Sequence, residues 1–118
     1  MSGIIFFASE KYNEIKEFYI NKIGAEIWVE QDDCVILRHG NFLLGFCDRT
    51  CAETSGTITF FYQTNEEVDI MYEKFKDIAS SKPALNERYN IYNFFTHDPE
   101  GRSLEFQCFN HPIDMNFD

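Results

Sequence analysis

The chain has 118 residues, 20 acidic against 10 basic, for a net charge of −10 at pH 7. That length supports one domain with a real core, and the charge, with no basic stripe to offset it, excludes a polyphosphate backbone as partner. No stretch approaches the roughly 20 apolar residues of a membrane span and no basic or apolar leader opens the chain, so the expectation is a soluble, cytoplasmic protein with its four cysteines reduced.

Residues 4–8, Ile-Ile-Phe-Phe-Ala, read as a short apolar strand. Ser9 is the expected cap of an amphipathic helix with Tyr12, Ile15, Phe18, Tyr19 and Ile23 on its apolar side, and Gly24 ends it. Three strands follow over 25–31, 34–38 and 42–47, parted by turn signals at Asp32-Asp33 and His39-Gly40-Asn41. Residues 3–48 thus form a βαβββ module, and the small and polar residues 49–56 form a connector.

A second module spans 57–109. Residues 57–62 make its first strand. Thr64 and Glu67 have capping-box spacing, and Val68, Met71, Tyr72, Phe75 and Ile78 give the helix a buried stripe. Pro83 marks the exit, two strands are expected between Leu85 and Phe95, and a tail covers 110–118. In the closing hairpin, Asp98 bonds back to the turn, Pro99 supplies a fixed φ and Gly101 tolerates the exit geometry. Leu104 and Phe106 then alternate with Ser103, Glu105 and Gln107, which puts the Glu105 carboxylate on the face opposite the apolar one.

The aromatic strand, the Asp98-Pro99-Glu100-Gly101 turn, the Leu104-Glu105 pair after it and the Phe18-Tyr19 pair in the first helix together resemble the vicinal oxygen chelate superfamily of glyoxalases, extradiol dioxygenases and bleomycin resistance proteins. The resemblance covers residues 3–109. It implies an α+β fold in which two βαβββ modules form a curved mixed sheet with a concave pocket.

It also implies four metal-ligand positions, from the first and last strand of each module. Three fall on residues that do not ligate: Ile4 or Ile5, Gly45 with Leu44 or Phe46 beside it, and Thr57 or Ile58. Glu105 alone remains, and one carboxylate does not hold a catalytic divalent ion. The resemblance therefore points to the metal-free, bleomycin-resistance-like branch: a binding protein with no cofactor and no catalytic residue. A metal-dependent enzyme with an incomplete site is the alternative, and a protein-interaction module using the acidic surface is a third reading.

The negative field favours a cationic small molecule, and an aromatic content of 17% offers stacking faces. Candidate ligand-binding residues are Glu105, with Arg38 or a tyrosine hydroxyl to hold it; Tyr92 and Phe94, if their strand alternates toward Glu105; Arg38 as an anion anchor; and Trp28 as a stacking platform or an interface aromatic. Cys47 and Cys51, with His39, Cys108 and His111, lack the usual zinc spacing, and Cys34, Cys47 and Cys108 read as apolar packing. His97 reads as an exposed strand end. Apolar sheet edges on so small a chain lead to the expectation of a homodimer.

Overall fold

The computed structural model describes residues 2–115, so the last three residues of the expected tail lie outside it. The chain divides after Thr54 into two compact units. Each is a βαβββ module closed into its own four-stranded mixed sheet.

In the first unit β1 (Ile4–Ser9) is followed by α1 (Tyr12–Phe18), whose last turn widens into a π-helical turn over Tyr19–Ile23, and then by β2 (Glu26–Glu30), β3 (Cys34–His39) and β4 (Phe42–Asp48). The sheet order is β1-β4-β3-β2, with β1 parallel to β4 and the other pairs antiparallel. The helix buries Ile15, Tyr19 and Ile23, with the Tyr19 ring 4.9 Å from that of Phe46. Gly24 stops it in the left-handed conformation at φ 90°, the role for which glycine is suited.

Ser9 does not cap α1. It is the last residue of β1, buried and paired with Asp48, and its carbonyl accepts the Arg49 N–H at 2.9 Å. The strand pairing holds Ser9 extended, and Lys11 stands at the helix start with no side-chain cap.

The cysteine expectation is also corrected. Gly40, at φ 62°, opens the loop between β3 and β4, where a two-residue hairpin with glycine first matches the twist of the strands. That loop sets His39 opposite Phe42 and, counted back along both strands, Cys34 opposite Cys47. The two are joined in a disulfide. Cys51 and Cys108 are free, the first exposed and the second buried.

The second unit runs β5 (Thr57–Tyr62), α2 (Asn65–Phe75), β6 (Ala84–Asn86), β7 (Ile91–His97) and β8 (Ser103–Phe109), in sheet order β5-β8-β7-β6 with β5 parallel to β8. Thr64 starts α2 as expected: its hydroxyl accepts the Glu67 N–H at 3.2 Å and donates to the Glu67 carboxylate at 3.0 Å. Val68, Met71 and Phe75 are the buried stripe. Phe75 meets Phe106 at 5.1 Å and Phe106 stacks on Phe94 at 5.2 Å, so the even-numbered residues of β7 and β8 form the helix-facing core.

The hairpin turn is pinned by Asp98, whose Oδ1 accepts the N–H groups of Glu100 and Arg102. Its Oδ2 takes the Arg102 guanidinium at 3.1 Å, and the same Nη1 reaches Glu100 at 2.8 Å. Arg102 and Asp98 are each 1% exposed, so this ion cluster belongs to the core. Among the described residues no helix is long and apolar enough to cross a membrane.

Candidate functional site around Glu105

Glu105 sits on the sheet face of the second unit that turns away from α2. Its register partners are Thr59 on β5 and Phe95 on β7. Directly paired residues share a face, so Thr59, Glu105 and Phe95 stand in a row, with Asn93 one step along β7. The Thr59 hydroxyl donates to Oε1 at 2.9 Å and the Asn93 amide donates to Oε2 at 2.7 Å. Both carboxylate oxygens are thereby fixed by neutral donors from the strands on either side.

The other candidates go elsewhere. Tyr92 and Phe94 have the opposite phase: Phe94 is buried against Phe106 and Tyr72, and the Tyr92 hydroxyl donates to Asp69 of α2 at 2.6 Å, a bond that pushes its pKa up to about 12. They serve helix packing because α2 covers that face. Arg38 pairs with Glu26 across the β2/β3 edge of the first unit at 3.2 Å. Trp28 sits at the irregularity in that edge pairing, 48% exposed and outside the core. His97 is an exposed strand end.

Sequence reasoning missed Thr59 and Asn93. The residue across the parallel pair from Glu105 is Thr59, further along β5 than the Thr57 or Ile58 expected there. The first unit shows the same relationship without the carboxylate: Gly45 on β4 pairs with Phe6 on β1. A Cβ at Gly45 would collide with the Phe6 ring, so that aromatic fills the space where a side chain at 45 would stand.

A divalent ion does not fit these donors. Among the described residues of the second unit, the side chains that hydrogen-bond Glu105 are a hydroxyl and an amide that already donate to it. The described residues contain no group of three or more His, Cys, Asp or Glu side chains placed to hold a metal. Among the described residues each unit also carries an open groove. One, of about 200 Å³, is lined by Tyr62, Gln63, Phe109, Ile113 and Met115; the other, of about 170 Å³, lies along β1 and includes Cys47, Arg49 and Glu53.

No protein-family model and no curated protein matches the sequence. Solved structures do match the fold. A lactoylglutathione lyase from Agrobacterium tumefaciens superposes with a TM-score of 0.75 at 19% identity, over 93% of this chain and 92% of that one. A glyoxalase/bleomycin resistance protein/dioxygenase family enzyme from Burkholderia phytofirmans gives 0.78 at 15% identity, over 90% and 96%, and a glyoxalase/bleomycin resistance protein/dioxygenase from Nocardioides gives 0.76 at 16%, over 99% and 88%. The two βαβββ units of this chain have the glyoxalase/bleomycin resistance fold.

Proposed function

We propose that this protein binds a small organic molecule at the Glu105 face of its second unit and performs no chemistry on it, in the manner of a bleomycin resistance protein, and that it works as a homodimer. The observation that carries the reading is the state of Glu105. A carboxylate held away from open solvent is costly unless its lone pairs are satisfied. Here two neutral donors orient it, and among the described residues of its own unit no lysine, arginine or histidine pairs with it. Such a group is a preformed acceptor for a ligand.

The acidity of the chain supports a cationic ligand. The exposed Ile4, Ile5 and Phe6 of the edge strand β1 support a second copy of the chain as a partner. The test is a thermal-shift screen of cationic and aromatic compounds on the wild type and on Glu105→Gln, with metal analysis of the purified protein. A compound that raises the wild-type Tm and leaves the variant unmoved supports the reading. Stoichiometric divalent metal that is lost in the variant would replace it with a metal-dependent enzyme.

A further inference from the structure

Among the described carboxylates only Asp98, Glu100 and Glu105 are not exposed. The chain treats them in two ways. Asp98 and Glu100 share the guanidinium of Arg102, which is buried with them. Glu105 receives a hydroxyl and a carboxamide and no cation. A charge partly withdrawn from water gains from an opposite charge with matching hydrogen bonds, and within the second unit no cation takes that place at Glu105.

Two features define the shape of a molecule that would take that place. Thr59 holds one oxygen and Asn93 the other, from strands on opposite sides, so the carboxylate cannot turn freely and presents its remaining lone pairs as a fixed pair. A carboxylate has about four acceptor positions and accepts two parallel N–H bonds from a planar fork; an ammonium uses such a pair less well. Directly across β7/β8 stands Phe95, 39% exposed, with no aromatic partner among the described residues. Both of its backbone polar groups are held: its N–H donates to the Ser81 hydroxyl at 3.1 Å and its carbonyl accepts the Ser80 N–H at 2.8 Å. A ring so placed, with its Cβ about 5 Å from that of Glu105, offers a face to a flat cation.

We propose that the ligand of this face is a planar organic cation, a guanidinium or amidinium group, that takes both oxygens of Glu105 in a fork while lying against Phe95. The proposal rests on the reading of Glu105 as a ligand acceptor and adds the class of ligand.

The experiment is calorimetric titration with benzamidine, benzylamine and benzamide, which keep one ring and vary the head from planar cation to point cation to planar neutral amide. Benzamidine should bind the wild type at least about tenfold more tightly than benzylamine, and benzamide should not bind measurably. Glu105→Gln should weaken benzamidine at least about tenfold and Phe95→Leu about threefold to tenfold, with circular dichroism checking that each variant folds. Should the variants fail to fold, NMR of the wild type serves: benzamidine should shift the Asn93 side-chain amide resonances.

Equal affinity for benzylamine overturns the fork, and equal affinity for benzamide overturns the cation. If none of the three binds while another compound gives a Tm shift that depends on Glu105, the planar-cation assignment fails and the binding function stands. If no compound depends on Glu105, both fall together.

Discussion

Phe6 and Gly45 face each other across the parallel pair of β1 and β4, and the Phe6 ring occupies the volume that any side chain at 45 would need. Gly45→Ala should therefore cost about 1–3 kcal/mol by overpacking. With Phe6→Ala in the background the same substitution should become neutral or stabilising by about 0.5–1 kcal/mol, since glycine is the weaker strand residue. A double-mutant cycle by urea unfolding measures the coupling, and additive effects would show that the ring moves aside freely.

The Cys34–Cys47 bridge closes a loop with a sequence separation of 13, for which chain entropy gives a stabilisation of about 3 kcal/mol. Reduction, or Cys34→Ser with Cys47→Ser, should lower the denaturation midpoint accordingly. In the folded oxidised protein a thiol reagent should label Cys51 readily. Cys108 should react only on unfolding, since burial both shields its thiol and raises its pKa. Four reactive thiols in the non-reduced, unfolded protein would rule out the bridge.

Tyr62 carries a hydroxyl that is buried with no hydrogen-bond partner among the described residues, and desolvation pushes its pKa up to about 12. Tyr62→Phe should be neutral or stabilising by about 1 kcal/mol, because it removes an unsatisfied polar group. Tyr62 and Tyr92 both hold their protons more tightly folded than unfolded. Their contribution is complete below the unfolded pKa near 10 and is lost as pH rises toward 12. Stability should thus fall between pH 10 and 12, less steeply in Tyr62→Phe, as read from urea midpoints across that range.

Arg102 is the cation of the buried turn cluster. Arg102→Met should cost about 3–5 kcal/mol because it strands Asp98 and Glu100 without a counter-charge. Arg38→Met, at a pair whose side chains are 50% and 70% exposed, should cost less than about 1 kcal/mol. Equal losses in urea unfolding would contradict the difference in burial.

The proposed homodimer should scatter light with twice the chain mass of 13.9 kDa at micromolar concentration. A mass of one chain under those conditions would end the proposal. Ile5→Lys on β1 should shift the dimer toward monomer by at least about tenfold in Kd, since a buried lysine at an apolar contact is strongly unfavourable.

Local chemistry was legible in the sequence because it acts over a few residues. The Asp98-Pro99-Glu100-Gly101 turn, the Thr64 cap, the stop at Gly24 and the period of two over 103–109 each depend on neighbours in the chain, and they supplied the two βαβββ orders. The Gly40-Asn41 loop also contained the register that brings Cys34 to Cys47; the composition argument for reduced thiols hid it.

What the tertiary structure decided was phase and partnership. An alternating strand has two possible faces, and only the side on which α2 packs sends Phe94 to the core and Phe95 to the Glu105 face. Thr59, 46 positions before Glu105, becomes its partner through the parallel pairing of β5 and β8, and no local pattern specifies that register. Ser9 followed the same logic, since pairing with β4 and the Arg49 bond outweighed its preference for a helix cap. The carboxylate was visible in the sequence; the neutral donors that hold it, and the ring beside it, come from strand register alone.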